Sequence, residues 1–183
     1  MKLIILDRDG VINEDSADYI KSAEEWQAIP GSMEAIGRLC AAGYTVTVAT
    51  NQSGLSRGLF DLDDLEAMHE KMRNAAAEFE GSIAGIYYCP HLPSEGCQCR
   101  KPAPGLLDAI AADFSTSLVG VPFIGDSLKD VQAGVQKQCC PILVRTGKGS
   151  EHEHQLEEHA LSDKTEVYDN LSSAVNHLLK DRN

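Results

Sequence analysis

Short apolar runs alternate along the chain with segments whose apolar residues recur at helical spacing. Residues 2–6 (KLIIL) form an apolar run of the kind expected for a strand buried on both faces. Residues 32–43 then place apolar side chains on one helical face, and Gly43 suits the end of that helix. The same pattern predicts further strands at 44–50, 82–88, 119–125 and 141–146, helices at 61–79, 105–114 and 130–138, and a short strand followed by a helix within 165–180.

The predicted helix over 61–79 opens with Asp61, a residue type favoured at helix starts. Its apolar positions at helical spacing are Leu62, Leu65, Met68, Met72 and Ala76. The polar segment 147–163 is interpreted as a loop followed by an exposed helix. Its HEH triplet contains two potential metal ligands, and a solvated helix face is the interpretation favoured over a metal site.

Alternation of strands and helices with short connections is typical of a parallel sheet covered by helices on both faces. A chain of 183 residues is long enough for one domain with a proper core. We therefore predict an α/β fold with a three-layer Rossmann-like arrangement, forming a single domain over residues 1–183. Ligands of such sheets bind beyond the carboxyl ends of the strands.

Polar side chains follow three of the predicted strands. Asp7 and Asp9 come after the first strand and, two residues apart in an extended segment, can face one site. Thr50 ends the second strand, and Asp126 follows the strand at 119–125. Clustered carboxylates repel one another unless a proton or a cation joins them, and their hard oxygen ligands suit Mg²⁺ bound together with a substrate phosphate. A lone DxD pair is common and usually carries no function, but the combination predicts a magnesium site.

The stretch YYCPHLPSEGCQCRKP, residues 87–102, combines soft metal ligands with a basic pair. The four ligand candidates are Cys89, His91, Cys97 and Cys99. Three cysteines and one histidine are a common structural zinc set that leaves no open position for water. Ordinary loop thiols beside an exposed histidine are the alternative, which four candidates within eleven residues disfavour. We predict a zinc loop over 89–100 that aims Arg100 and Lys101 at an anion.

Charge and composition narrow the possible partners. The net charge of −12 argues against nucleic acid or an anionic membrane as the main partner, so an anionic substrate would need a local basic pocket. The chain has no apolar run of 18 residues, and its first apolar run is too short for a signal peptide. The six cysteines are therefore interpreted as free or metal-bound thiols in a reducing, cytoplasmic compartment.

The order of these motifs resembles the haloacid dehalogenase superfamily of phosphotransferases, from residue 2 to about residue 147. The matching positions are Asp7 and Asp9 for the first motif, Thr50 for the second, Lys101 for the third, and Gly125 with Asp126 for the fourth, with Asp130 four residues on. The resemblance implies that Asp7 forms an aspartyl-phosphate and that Asp9 serves as general acid and then as general base.

The same resemblance assigns the remaining roles. Mg²⁺ would be held by Asp7, the backbone carbonyl of Asp9, and Asp126. Thr50 and Lys101 would stabilise charge on the transferring phosphoryl oxygens.

The zinc stretch is similar to that of two bacterial phosphatase families, which act on heptose 1,7-bisphosphate and on histidinol phosphate. Both carry a zinc loop in place of a large cap domain, and this chain has no insertion long enough for a cap. Asn13, the GLSRG stretch with Arg57, and the VRTGKG stretch resemble the heptose family. The five-residue gap between His91 and Cys97 resembles the histidinol family. Ser127 stands where several heptose phosphatases have a substrate-binding lysine, so that contact is not carried over.

The expected activity is therefore magnesium-dependent removal of the 7-phosphate from a heptose bisphosphate, on the way to lipopolysaccharide precursors. Histidinol-phosphate hydrolysis is the first alternative, and a non-catalytic zinc-bearing phosphate-binding domain is the second. The expected ligand is a small phosphorylated sugar and the expected state is a monomer. For Asp15 and Tyr19, an ordinary polar loop is the alternative to substrate contact. For Arg57, the alternative is a surface salt bridge. The expected substrate contacts are Asn13, Asp15, Tyr19, Asn51, Gln52, Ser53, Arg57 and Arg100.

Overall fold

The computed structural model describes residues 1–180. Six strands form one sheet in the order β3-β2-β1-β4-β5-β6, and every neighbouring pair is parallel. The strands are β1 (Lys2–Leu6), β2 (Tyr44–Asn51), β3 (Gly85–Cys89), β4 (Pro122–Gly125), β5 (Cys140–Val144) and β6 (Glu166–Tyr168). The chain builds one half of the sheet outward from β1 and then crosses back to β4. Ligand crevices in such sheets open where the strand order reverses, which here is between β1 and β4.

Residues 1–180 contain seven α-helices, which pack against the sheet: α1 (Ser32–Ala41), α2 (Leu62–Ala77), α3 (Gly105–Asp113), α4 (Leu128–Gln136), α5 (Gly149–Glu153), α6 (Gln155–Glu158) and α7 (Leu171–Lys180). Alternate residues of β1 enter different core layers. Ile4 and Leu6 pack in the layer that contains α1, α2 and α7, while Leu3 and Ile5 pack against the face covered by α3. The continuous apolar run of β1 is thus explained by burial on both faces of the sheet.

The predicted α/β fold is confirmed, and the differences lie at element ends. Helix α4 begins two residues earlier than the predicted start at 130, because the backbone amide and hydroxyl of Ser127 both donate to Asp130. The predicted loop and exposed helix of 147–163 contain two short helices, α5 and α6.

Helix α2 begins as its sequence predicts. The Asp64 backbone amide donates to the side chain of Asp61 at 2.9 Å, and the Asp61 amide donates back to Asp64 at 3.1 Å. Four of its five apolar positions are buried. Leu62, the first residue of the helix, is the exception, with 61% of its surface exposed.

None of the helices within residues 1–180 is long and apolar enough to cross a membrane. All six strands belong to the same sheet. The assignment of residues 1–183 to a single domain remains a prediction, and residues 181–183 lie outside the described part of the chain.

Candidate active site

A cavity of about 430 Å³ opens at the carboxyl edge of the sheet. It is lined by the loops that follow β1, β2, β4 and β5 and by the end of the zinc loop. The lining residues are Asp7, Asp9, Asp15, Ser16, Ala17, Tyr19, Ile20, Thr50, Asn51, Gln52, Ser53, Arg100, Lys101, Asp126, Ser127, Lys129, Lys148 and His152. The cavity therefore lies where the reversal of strand order predicts a ligand crevice.

Lys101 joins two carboxylates at the floor of this cavity. Its Nζ lies 2.9 Å from Asp7 Oδ1 and 2.6 Å from Asp130 Oδ1, and it donates to the Ala49 carbonyl at 2.7 Å. Only 2% of Lys101 is exposed. Burial opposes its charge, yet Asp130 and Asp7 together raise the pKa of Lys101 above its ordinary value. The lysine is thus a fixed ammonium group beside Asp7.

The carboxylates of Asp7, Asp126 and Asp130 offer oxygen atoms that all lie within 4.8 Å of one another. Burial raises the pKa of Asp7 to about 7, an effect that Lys101 opposes and the neighbouring carboxylates reinforce. Burial and the charges of Asp7 and Asp130 raise the pKa of Asp126 to about 8. Carboxylates with raised pKa values attract a cation, and this all-oxygen donor set fits Mg²⁺.

Two glycines fix the position of Asp126. A Cβ at Gly10 would lie 2.1 Å from Asp126 Oδ2, and a Cβ at Gly147 would lie 2.2 Å from the same oxygen. Both glycines have positive φ, a conformation that other residues adopt only with strain. The Lys148 backbone amide also donates to Asp126 Oδ2 at 2.9 Å. The loops after β1 and β5 therefore clamp the Asp126 carboxylate at the cavity.

Asp9 is held apart from this carboxylate cluster by hydrogen bonds to three residues. Arg8 Nη2 donates to Asp9 Oδ1 at 2.9 Å, Asn13 Nδ2 donates to Oδ1 at 2.9 Å, and Gln52 Nε2 donates to Oδ2 at 2.7 Å. Burial by itself would raise the pKa of Asp9. The charge of Arg8 and the hydrogen bonds from Asn13, Arg8 and Gln52 outweigh burial, so its pKa lies below its usual range.

The four candidate zinc ligands converge as their spacing predicts, with ligand atoms within 4.8 Å of one another. Cys99 Sγ lies 3.1 Å from Cys89 Sγ and 3.5 Å from Cys97 Sγ, and His91 Nδ1 lies 3.1 Å from Cys99 Sγ. Ligands on a tetrahedral zinc ion stand roughly 3.3–3.8 Å apart. The cysteines are not in disulfides. The donor set and its spacing fit zinc.

Asn51, the last residue of β2, connects this strand to the predicted zinc loop. Its Oδ1 accepts the Lys101 backbone amide at 3.0 Å, and its Nδ2 donates to the Lys101 carbonyl at 3.1 Å. On the other side, Arg100 Nη1 donates to the His91 carbonyl at 3.3 Å. The basic pair that follows the cysteines is therefore held both by the zinc loop and by the end of β2.

The structure brings most of the predicted substrate contacts together. Six of the eight line the cavity: Asp15, Tyr19, Asn51, Gln52, Ser53 and Arg100. Asn13 is fully buried and supports Asp9 rather than lining the cavity. Arg57 also lies outside the lining, with its guanidinium carbon 5.9 Å from the centroid of the Tyr19 ring.

Sequence reasoning assigned no role to seven of the lining residues, three of which have basic side chains, or to Asp130 of the carboxylate cluster. Lys129, Lys148 and His152 line the cavity, and Asp130 belongs to the cluster. Lys148 Nζ lies 3.1 Å from Asp15 Oδ2. Lys148 follows a predicted strand, and this position could have predicted that it lines the cavity. The lysines and Arg100 make the cavity rim basic within a chain of net charge −12.

Comparison with known proteins adds to this geometry. The chain is 50% identical over 181 residues to the D-glycero-beta-D-manno-heptose-1,7-bisphosphate 7-phosphatase of Bordetella bronchiseptica, covering 99% of each chain. It is 51% identical over 179 residues to the enzyme of the same name in Pseudomonas putida, covering 98% of this chain and 100% of the relative. A crystal structure of D,D-heptose 1,7-bisphosphate phosphatase from B. bronchiseptica, complexed with magnesium and phosphate, superimposes with a TM-score of 0.94, at 50% identity and 99% coverage of both chains.

The chain belongs to the D-glycero-β-D-manno-heptose-1,7-bisphosphate 7-phosphatase family. A HAD-hydrolase-like family profile also matches residues 98–174. The resemblance to the haloacid dehalogenase superfamily, and within it to the heptose-bisphosphate phosphatase family, is thereby confirmed. The family's fold agrees with the parallel sheet described above.

Proposed function

We propose that this protein is a magnesium-dependent phosphatase that removes the 7-phosphate from D-glycero-D-manno-heptose 1,7-bisphosphate and leaves heptose 1-phosphate. The observation that carries the proposal is the convergence of Asp7, Lys101 and Asp126 on one cavity, with Asp9 beside them. Relatives about 50% identical over nearly the whole chain carry the corresponding enzyme name. A non-catalytic role is disfavoured because each catalytic position has the residue that the chemistry requires.

In the first step an Asp7 carboxylate oxygen attacks the phosphorus of the 7-phosphate. A bond forms between Asp7 and phosphorus, and the bond from phosphorus to the sugar oxygen breaks with its electron pair on that oxygen. Asp9 donates its proton to this oxygen, which leaves as the sugar hydroxyl. The negative charge of the arriving phosphate would favour the protonated form of Asp9 that this step requires.

In the second step water hydrolyses the aspartyl-phosphate. The water oxygen attacks phosphorus, the bond to Asp7 breaks, and Asp9 accepts the water proton. Arg8, Asn13 and Gln52 hold the pKa of Asp9 below its usual range against the effect of burial, so Asp9 is in the carboxylate form that can accept a proton in this step. Phosphate and the regenerated Asp7 carboxylate are the products.

The remaining polar groups neutralise charge on the phosphoryl oxygens. Asp7, the Asp9 carbonyl and Asp126 would hold Mg²⁺, which supplies a Lewis acid for the phosphoryl group when bound. Lys101 and the Thr50 hydroxyl supply a cation and a donor of fixed position, and Gln52 Nε2 donates to Thr50 Oγ1 at 2.9 Å. Zinc at the four loop ligands would hold Arg100 and Lys101 in place without taking part in the chemistry.

The second phosphate of the substrate would bind at the basic rim. Burial and the charges of Arg100 and Lys148 lower the pKa of Lys129, so these cations repel one another in the free protein. An anion among them would relieve that repulsion. Asp15 and Tyr19, which line the cavity near the rim, are the proposed contacts to sugar hydroxyls.

The reaction would lead toward the heptose of lipopolysaccharide precursors. We propose a cytoplasmic location, which is supported by six cysteines that form no disulfide. We also propose a monomer, which size-exclusion chromatography with light scattering would test.

The decisive experiment compares phosphate release from heptose 1,7-bisphosphate and from histidinol phosphate at matched concentrations with Mg²⁺. We expect a kcat/KM for the heptose substrate at least about 100-fold higher, because a site that binds two phosphates rejects a ligand that leaves its cations unpaired. A preference for histidinol phosphate would assign the protein to the alternative that the five-residue gap in the zinc loop favours. Failure to release phosphate from either substrate would refute the proposed activity.

A further inference from the structure

Arg8 stands between the two aspartates of the DRDG motif and is buried, with 1% of its surface exposed. Its side chain donates three hydrogen bonds to the Asp9 carboxylate. Nε lies 3.1 Å from Asp9 Oδ1, and Nη2 lies 2.9 Å from Oδ1 and 3.1 Å from Oδ2. Nη2 also donates to Gln52 Oε1 at 3.2 Å. The planar guanidinium thus contacts both oxygens of one carboxylate that faces the cavity.

We propose that Arg8 is a positioning residue that holds the Asp9 carboxylate in the orientation needed for proton transfer to and from the leaving group. The inference rests on the proposed function, because it assigns Asp9 the acid and base roles given above. Proton transfer requires heavy atoms about 2.6–3.2 Å apart, so free rotation of Asp9 would remove most of its effect. A forked contact from Arg8 limits that rotation more than a single hydrogen bond can.

The backbone around Arg8 is folded to support this contact. The Arg8 carbonyl accepts the amides of Val11, Ile12 and Asn13 at 3.3, 2.8 and 3.2 Å. This turn returns the chain so that the Asn13 side chain donates to Asp9 Oδ1, the oxygen that Arg8 also contacts. Arg8 therefore shapes the turn with its carbonyl and holds the acid with its side chain.

Gln52 extends this network of hydrogen bonds around Asp9, here called the Asp9 frame, to the phosphoryl side of the cavity. Its Nε2 lies 2.7 Å from Asp9 Oδ2 and 2.9 Å from Thr50 Oγ1. Because Thr50 is the proposed phosphoryl contact, the Asp9 frame fixes the distance between the acid and the phosphate. A displaced Asp9 would therefore also disturb Gln52, and the disturbance would reach Thr50.

The energetics favour a functional reason for burying this arginine. A buried ion pair costs desolvation energy, and a well-packed apolar pair of similar volume is often as stable. Among residues 1–180, Arg8 Nη1 has no hydrogen-bond partner, and neither has Nε2 of the buried His69. Burial and the Arg8 charge lower the pKa of His69 to about 4, so this histidine adds no competing charge. A purely structural pair would have little reason to leave a buried guanidinium N–H group without a partner.

The test compares leaving groups that differ in their need for a proton. Heptose 1,7-bisphosphate releases an alkoxide that must be protonated, whereas p-nitrophenyl phosphate releases a stable phenolate. Single-turnover release of the leaving group reports only the first step on each substrate. We expect Arg8→Lys, which keeps the charge but loses the fork, to slow the sugar substrate about 10- to 100-fold and the aryl substrate less than about 3-fold. Asn13→Ala, which removes another donor to Asp9 Oδ1, should act in the same direction and serves if Arg8→Lys folds poorly.

Two further variants make the result specific. Arg73→Met removes an exposed arginine whose Nη1 lies 2.8 Å from Glu66 Oε1, and it should leave both rates unchanged. In an Asp9→Asn background, Arg8→Lys should cause no further change in the ratio of the two rates. Equal slowing of both substrates, or a full Arg8 effect without Asp9, would overturn the inference.

The two proposals fail in different ways. A wild-type protein that releases phosphate from neither substrate overturns the proposed function, and the inference with it. A wild-type protein that turns over heptose bisphosphate, but whose Arg8→Lys and Asn13→Ala variants leave the ratio unchanged, overturns the inference alone.

Discussion

The carboxylate cluster and the four-ligand loop at 89–99 could each hold a metal ion, but the chain positions them in different ways. Asp7 and Asp126 are buried directly after the central strands β1 and β4, and Asp130 is buried in the first turn of α4. Between residues 90 and 100 no side chain is buried. The sheet can therefore order the cluster without a metal, whereas the loop has little apolar surface to order it. This difference supports the proposal that magnesium would serve the chemistry and zinc the structure of the loop.

The largest expected effect is a loss of kcat on changing a residue of the carboxylate cluster. Asp7→Asn should lower kcat about 10³-fold or more, because it removes the nucleophile. The melting temperature should not fall, since the variant removes a buried carboxylate whose pKa is raised to about 7, chiefly by burial. Kinetics and thermal unfolding measure the two quantities, with Asp63→Asn on the exposed start of α2 as control. Residual activity near the wild-type level would show that Asp7 is not the nucleophile.

Loss of zinc should affect stability and activity together. Cys97→Ser should lower the melting temperature by about 5 °C or more and weaken substrate binding, because metal binding and loop order are coupled. Cys140→Ser, which changes an exposed cysteine outside the loop, is the matched control. Zinc content by atomic absorption, scanning calorimetry and KM together check this expectation. A zinc-free variant with unchanged melting temperature and KM would rule out the proposal that zinc holds Arg100 and Lys101 in place.

Asn51 joins the two regions and offers a smaller, more selective change. Asn51→Ala removes both hydrogen bonds to the Lys101 backbone, so Lys101 should lose alignment with Asp7. We expect kcat/KM to fall about 10-fold and the free energy of unfolding by about 1–3 kcal/mol. Asn74→Ala on the exposed face of α2 provides the control. If kcat/KM is unaffected while zinc removal still reduces it, the loop acts on the site by another route.

The smallest expected effect is a pH-dependent gain in stability from magnesium. Asp7 and Asp126 have folded pKa values of about 7 and about 8, above their ordinary value of 3.8, mainly because they are buried. The metal-free folded state keeps protons that the unfolded state releases, so its stability falls as pH rises from about 4 to about 8. Mg²⁺ takes the place of those protons.

The gain in melting temperature on adding Mg²⁺ should therefore grow between pH 5 and pH 8, by a few degrees at most. Thermal unfolding at constant ionic strength measures it. Asp126→Asn should remove most of the pH dependence. A gain of the same size at pH 5 and pH 8 would contradict the assignment of these raised pKa values to the metal site.

Most of the fold and much of the candidate site could be predicted from the sequence. All six strands were predicted. The central strands β1, β2, β4 and β5 are largely buried and leave a continuous hydrophobic signal, whereas the edge strands β3 and β6 are mostly half-buried and were predicted from shorter β-rich segments. The chain order of Asp7, Thr50 and Asp126 placed them at one edge, since parallel strands share the direction of their carboxyl ends. The four zinc ligands lie within eleven residues, so short-range spacing was sufficient to group them.

Only the tertiary structure decided which side chains meet across loops. It brought Lys148 to Asp15 and Asp130 to Lys101, left Arg57 outside the cavity lining, and turned Asp9 toward Arg8 rather than toward the carboxylate cluster. The sequence by itself determined the elements and the residues at their ends, because these depend on local periodicity and strand direction. The contacts between loops depend on how each loop packs over the edge of the sheet, and the spacing of residues in the sequence does not predict that packing.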